Sequence, residues 1–262
     1  MLDTAAVVRN LAQDCGGSVS VSVRNISNAF DISFNEGIRM GSASTIKVPI
    51  IVEAMRQARD GRLSLDAEYS VSAEKRCAGS GVITHLHEGL VLTLKDLLTL
   101  MIITSDNTAT NMCIDIVGMD RVNAMLGEFG YQGTALNRRM YDWDALSQGR
   151  DNWIVAEEIT DLLARIALGE AVGDGYDKLI LDIMHKQLYS DVLGMFLPEG
   201  VLANKTGSVN QFVHDCGVVT TPEFSYAIAV LTADVPSAGE ARLTIGRISK
   251  VIFDAVSAGK SC

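Results

Sequence analysis

Proline, histidine and cysteine are scarce in this chain, and each shortage removes a class of protein. Four prolines in 262 residues, with no Ser/Gly linker and no charge block, leave nothing that cuts the chain into independent beads. Any second lobe is therefore intimately joined to the first. The five cysteines, Cys15, Cys77, Cys113, Cys216 and Cys262, are odd in number, widely scattered and without a CxxC pair, which argues against both a disulfide framework and a zinc ribbon. Of the four histidines only His214 lies close to a cysteine, Cys216; His85 and His87 stand two apart, a spacing that on a helix turns them to different faces. No metal and no cofactor are expected. No apolar run approaches the ~18 residues of a membrane span, so no membrane partner is expected. The balance of 22 Lys and Arg against 32 Asp and Glu gives a net charge of −10, which opposes the phosphate neutralisation that nucleic-acid binding needs. The opening MLDTAAVVRN lacks the basic segment and apolar core of a secretory signal. The expectation is a cytoplasmic chain or a trimmed exported one.

Apolar residues are plentiful, at 48% of positions, and the chain is long enough to bury roughly three quarters of its unfolded surface. Residues 3–14 carry apolar positions at helical spacing behind Asp3, a candidate cap. Two alternating runs follow, 18–26 and 29–34, split by the turn-like Ser27-Asn28. From Ser44 to about Gly169 the pattern is mostly helical, in VPIIVEAMRQARDG, LTLKDLLTLMIITSD, NTATNMCIDIVG, MDRVNAMLGEFG and IVAEEITDLLARIALG. Then come a predicted helix near Tyr176 to Gln187, strands at 201–208, 215–220 and 225–232, and an amphipathic helix from about Ala241 to Ala258. The order αβ, all-α, βα assembles most simply with both chain ends in one antiparallel sheet flanked by the terminal helices, and the helical segment inserted between them. That gives an α/β lobe from residues 1–37 and 191–262 and an inserted all-α lobe from 38–190, with the active site expected between the two.

Three short elements carry chemistry. Ser44-Thr45-Ile46-Lys47 opens a strongly apolar helix, and three residues of separation places the hydroxyl and the amine on one face. Burial of that helix start would lower the lysine pKa toward the range of a useful base. The pattern alone is weak: Ser44 also reads as a helix cap with a surface Lys47, and Ser72-Ala73-Glu74-Lys75 is a second match in a polar stretch. Ser105-Asp106-Asn107 breaks two apolar helices and reads equally as an N-cap. Lys205-Thr206-Gly207-Ser208 ends a predicted strand and by itself reads as a turn.

In this order and spacing the three are the SxxK, SDN and KTG set of penicillin-recognising serine enzymes. The sequence resembles the class A serine β-lactamase family over essentially its whole length, with further support from Gly79-Ser80-Gly81-Val82 and from Arg150-Asp151 at the exit of an omega loop. The resemblance implies a β-lactamase-like fold and a monomer acting on a small molecule, a β-lactam or a peptide-like amide or ester. It implies that Ser44 forms an acyl-enzyme, that Lys47 takes its proton and that Ser105 relays a proton with Lys205 nearby. Asn107 would orient the substrate amide, Gly207 and Ser208 would flank an oxyanion hole, and the Thr206 and Ser208 hydroxyls would bind a substrate carboxylate.

Two departures stand out. The family's omega loop carries a glutamate that activates the deacylating water, yet no Glu occurs between Glu128 and Glu157, and Met140 falls in its place. A thioether is no general base. Asp142 and Asp144 lie just beyond and are shorter and displaced, while Arg138 and Asp151 match the pair that ties the loop ends together. After the KTG the hairpin is about two residues short, with His214-Asp215 near the position where some relatives use an arginine on the substrate carboxylate. His214 either binds substrate anions when protonated or braces the strand through Asp215, and bracing is the favoured reading. The expectation is a β-lactamase-like serine hydrolase with slow deacylation; the alternative is a penicillin-binding D-alanyl peptidase or a sensor that acylates without turnover.

Overall fold

A computed structural model describes residues 3–27, 31–173, 175–210 and 212–259. The expected turn residue Asn28, the first two residues of the 29–34 run and Cys262 lie outside these. Asp3 caps α1 (Thr4–Asp14), its carboxylate accepting the N–H groups of Ala5 and Ala6 at 3.0 and 3.3 Å. β1 (Ser18–Asn25) and β2 (Asp31–Phe34) follow, then β3 (Arg39–Gly41), a 3₁₀ turn at Ala43–Ile46 and α2 (Lys47–Arg59). Next come β4 (Glu68–Ser70), β5 (Val91–Thr93), α3 (Leu94–Ile103), α4 (Asn107–Val117), α5 (Met119–Glu128), α6 (Trp143–Ser147), β6 (Trp153–Val155), α7 (Ala156–Leu168) and α8 (Tyr176–Met184). The chain closes with β7 (Leu202–Val209), β8 (Phe212–Thr220), β9 (Ser225–Ala233) and α9 (Ala238–Ser257).

The five long strands form one antiparallel sheet in the order β2-β1-β9-β8-β7. Both chain ends meet in it, as the alternating runs at the two ends required. The middle strand β9 is buried on both faces, which is why its sequence reads YAIAVL without polar alternation. Its bulkier residues Tyr226, Ile228 and Val230 join Val8, Ile245 and Ile252 in a core under α1 and α9. The small Ala227 and Ala229 point the other way, into the larger core with the central helices. Small side chains on that face let α7 approach the sheet closely enough for Thr160 Oγ1 to donate to the Ser22 carbonyl at 3.3 Å. Each buried Ile, Leu or Val contributes about 1.5–3 kcal/mol, so α2 is anchored by Val48, Ile50, Ile51, Val52 and Met55, none of which is exposed.

The sequence pattern overlooks four three-residue strands, three of them within residues 44–169. β3 pairs with β6 and β4 with β5, in two small ladders. Leu92 and Ile154, read as helix starts from their apolar spacing, belong to β5 and β6. The helix after β5 begins where Thr93 and Asp96 cap each other reciprocally. β8 starts three residues earlier than the strand expected at 215–220, because the turn at Asn210 lets its pairing with β7 run out to Val209 and Phe212. Asn210 in that turn has φ +49°, a conformation typical of tight hairpins.

Candidate active site

Ser44 lies in the 3₁₀ turn rather than at a helix cap; the N-terminus of α2 has no side-chain cap. Lys47, one turn on, is completely buried and points its Nζ away from solvent toward the α3–α4 junction. There it donates to the Ser105 carbonyl at 2.8 Å, to Ser105 Oγ at 3.0 Å and to Asn107 Oδ1 at 3.1 Å. These three acceptors surround the amine, and among the described residues no hydrogen bond joins Lys47 to Ser44. Burial, reinforced by the charge of Lys205, holds the Lys47 pKa well below its ordinary value.

The middle residue of Ser105-Asp106-Asn107 builds the loop. Asp106 caps α4 by accepting from Ala109 N at 2.9 Å, and its other oxygen accepts from Val82 N and Ile83 N at 2.7 and 2.9 Å. A Cβ at Gly81 would sit 2.2 Å from that oxygen, so only glycine fits. The cap reading of this motif is borne out by its middle residue, while Ser105 and Asn107 on either side receive Lys47. Asn107 donates to the Ala78 carbonyl at 3.0 Å while receiving Lys47, which fixes its amide between two walls of the cleft.

β7 supplies the opposite wall. Lys205 is also completely buried, donates to the Thr206 carbonyl at 2.7 Å, and is lowered by burial to about 8. Behind it lies Asp215, raised by burial to about 7, which accepts two hydrogen bonds from Asn204 Nδ2 and one from Leu193 N. A Cβ on Gly207 would lie 2.9 Å from the Ser44 backbone nitrogen, so the missing side chain is what lets the strand reach the Ser44 turn. Thr206 and the exposed Ser208 line the cleft beside it.

His214 pairs with Gly207 across the hairpin and is completely buried. Its Nδ1 accepts from Thr232 N at 3.1 Å, which leaves the proton on Nε2, donated to the Gly41 carbonyl at 2.8 Å. Burial lowers its pKa to about 4, so the ring is neutral. It braces β8 against β3 and β9; the expected brace through Asp215 is replaced by Gly41 and Thr232, because Asp215 faces Asn204.

The omega loop is tied as its end residues suggested, with Arg138 Nε 2.8 Å from Asp151 Oδ1. Three asparagines invisible to motif reading hold the rest. Asn152 accepts from Asn137 N and Arg138 N at 2.7 and 2.9 Å and donates to the Arg138 carbonyl at 3.0 Å. Asn137 Nδ2 donates to the Asp151 carbonyl at 2.8 Å. Asn111, on α4, clasps the Met140 backbone through both its N–H and its carbonyl, at 2.8 and 3.1 Å. The Met140 carbonyl also receives the Cys77 thiol at 3.6 Å. Met140 thus faces the cleft on a fixed backbone. Asp142 caps α6 through Ala145 N at 2.9 Å and Asp144 is exposed; neither lines the cleft.

The walls enclose two connected pockets that share Ser44, Ser80 and Ser208. One, of 220 Å³, runs along Ser105, Thr206, Val213 and Arg242. The other, of 380 Å³, runs along Asn107, Met140, Tyr141, Trp143 and Phe212. Ala43, Ser105 and Tyr141, with φ of +43°, +55° and +61°, are three of the six non-glycine residues in the left-handed region among those described, and all three line these pockets. Such strain costs about 1–3 kcal/mol per residue and gathers where geometry serves a site. A larger cavity of 510 Å³ lies far from this set, between β1, β2 and α7, where Arg24 and Tyr131 both engage Asp161. The second serine-lysine match is on the surface, with Lys75 donating to the Ser70 carbonyl.

The sequence model of the beta-lactamase enzyme family matches residues 3–256. Beta-lactamase CARB-3 of Pseudomonas aeruginosa is 25% identical over 255 residues, covering 94% of this chain and 88% of that protein. A beta-lactamase from Sphaerobacter thermophilus superposes with a TM-score of 0.91 at 31% identity over 97% of both chains. PBP-A shares the fold, with a TM-score of 0.90 at 23% identity over 98% of this chain and 97% of that one. With a sheet of both chain ends, a serine turn under a glycine-bearing strand and a match from end to end, this chain belongs to the beta-lactamase enzyme family, whose members imply a hydrolase.

Proposed function

We propose that this chain is a serine hydrolase that forms an acyl-enzyme on Ser44 with β-lactams or related amides and esters, and releases the adduct slowly. The observation that carries the reading is the wholly buried Lys47, three residues from Ser44 and bonded to Ser105 and Asn107. Ser44 Oγ attacks the carbonyl carbon, and its proton passes to the neutral Lys47 amine, directly or through water. Burial and the nearby Lys205 charge both favour that neutral form. The proton then reaches the leaving nitrogen through Ser105. Backbone N–H groups of Ser44 and Ser208 receive the developing oxyanion, a donor of this type being worth about 2.7–4 kcal/mol. Thr206 and Ser208 meet the substrate's polar groups, and Asn107 its amide. One copy supplies every residue of the set, and the partner read here is a small molecule.

Deacylation is a separate matter, because the loop position that faces the cleft holds a thioether and the adjacent carboxylate of Asp142 is committed to α6. That observation favours, as a second reading, a penicillin-binding peptidase or sensor that keeps its acyl group. Intact-mass spectrometry over time after adding one equivalent of benzylpenicillin tests both. The expected result is one adduct on the native protein and on Ser72→Ala, none on Ser44→Ala, with decay over hours. Decay within minutes would mean that another group activates water; an adduct on Ser44→Ala would overturn the assignment.

A further inference from the structure

The 510 Å³ cavity between β1, β2 and α7 is larger than either pocket at Ser44, and it is polar where a layer of sheet against helix is ordinarily apolar. Its floor is the outer edge of the sheet. Directly opposed residues of antiparallel strands share a face, and the pairs Ser22–Ser33 and Arg24–Asp31 both line the cavity. One strand further in, the same face is small and apolar: Ser22 and Arg24 lie opposite Ala229 and Ala227 of β9, which enter the core of the central helices. The alternate residues of β1, Val19, Val21 and Val23, fill the other core. Ser22 is only 8% exposed, and among the described residues its hydroxyl has no hydrogen-bond partner; only its carbonyl is engaged, by Thr160. A buried hydroxyl without a partner is costly, and a ligand donor that meets it recovers that cost.

Five carboxylates line the cavity, Asp31, Glu36, Glu157, Glu158 and Asp161, against one guanidinium, Arg24. Three of the five are engaged. Asp161 takes Arg24, Tyr131 and Arg165, Glu158 takes the N–H groups of Gln132, Gly133 and Thr134, and Asp31 takes Asn25 N at 3.1 Å. Glu36 and Glu157 are joined through their backbones, Glu157 N donating to the Glu36 carbonyl at 3.1 Å, and neither carboxylate has a partner among the described residues. A compact metal ion does not suit this arrangement, because no three acidic, His or Cys side chains among the described residues come together to hold one. The matching cation carries its charges apart.

We propose that this cavity is a binding site for a linear polyamine, separate from Ser44 and independent of the acylation reading. One ammonium pairs with Glu36 and Glu157, the methylene stem covers Phe129, and a second amine donates to the Ser22 hydroxyl, while Arg24 stays on Asp161. The cavity volume lies within the range of about 300–1,000 Å³ usual for small-ligand sites.

Isothermal titration calorimetry of the full chain with spermidine tests the site. One saturable site is expected, weakened by roughly five- to tenfold when salt is raised from low concentration to about 0.15 M. Glu36→Gln and Glu157→Gln should each weaken binding by about two- to fivefold, and together by about tenfold. Ser22→Val, which suits a strand and removes only the hydroxyl, should weaken it by about two- to tenfold. Glu199→Gln, just ahead of β7 at the opposite edge of the sheet, and Ser44→Ala should bind as the native protein does. Absence of saturable binding would overturn the proposal, as would equal binding of magnesium ion or butylamine, or an affinity indifferent to the Glu36 and Glu157 double variant. Tighter binding of a tetralysine peptide than of spermidine would assign the cavity to a basic protein segment and overturn it too. Because calorimetry reads binding in the Ser44→Ala protein as well, failure of the acylation reading leaves this result untouched.

Discussion

The two walls of the Ser44 cleft are built by different means. On the side of α2, α4 and β7, buried titratable side chains are the links: Lys47 donates to Ser105 Oγ, the Ser105 carbonyl and Asn107 Oδ1, and Lys205 lies buried beside Asp215. On the omega-loop side, amide side chains hold backbone. Asn111, Asn137 and Asn152 fix the chain path through its own N–H and carbonyl groups, and the side chain delivered to the cleft, Met140, is chemically inert. The difference teaches that a loop's shape and its chemistry can be specified separately. On the first wall a residue cannot change without disturbing a buried titratable group; on the second, the residue presented can change while the frame stays.

Lys47→Met should break the first wall most severely. Removing a group that takes up the nucleophile's proton is expected to slow acylation by about 10²–10⁴-fold. The same change leaves the buried Ser105 and Asn107 oxygens without the amine they accept from, so it should also cost roughly 1–3 kcal/mol in urea unfolding. A Lys47→Met protein that acylates at the native rate would mean that the serine is activated by another group.

Met140→Glu asks whether the second wall only lacks chemistry. A carboxylate on the frame held by Asn111 should speed decay of the penicilloyl adduct by at least about tenfold. Adding Asn111→Ala should erase that gain and cost roughly 1–3 kcal/mol in urea unfolding, since the Met140 N–H and carbonyl lose their partner. Unchanged decay in Met140→Glu would show that the frame does not aim this residue at the acyl bond.

The smallest expected effect concerns His214, where strand and helical segments meet. Its pKa is lowered from 6.5 to about 4, so between those values the unfolded chain binds the extra proton and native stability falls as the pH drops. Asp215, raised from 3.8 to about 7, has the opposite sign, gaining stability over the same descent. His214→Gln, which can still donate to the Gly41 carbonyl, should remove the His contribution alone and flatten the loss between pH 6.5 and 4.5 by about 1–3 kcal/mol. Equal slopes in urea unfolding for the native and variant proteins would contradict the neutral, buried ring.

Much of this was legible along the chain. Asp3 and Asp106 announced helix starts because a cap is a local interaction over three residues. The three motifs and the Arg138–Asp151 tie were readable for the same reason: their spacing along the chain is set by the elements they end. The short strands β3 and β6 were not, since each is defined only by a partner more than a hundred residues away. Nor could spacing reveal Asn111 and Asn152, whose amides act on backbone from another element.

The sequence by itself thus determined the order of the long helices and strands, and that Ser44, Ser105 and Lys205 lie in three motifs at or near their junctions. It also determined that Met140 brings no base, a matter of chemistry that no fold can alter. Only the tertiary structure decided that Lys47 is dry, that His214 is neutral and braces Gly41, and that Arg242 of the last helix stands at the pocket mouth. Protonation and pairing depend on what surrounds a group in space, and burial by distant segments is the quantity that a linear order of residues does not contain.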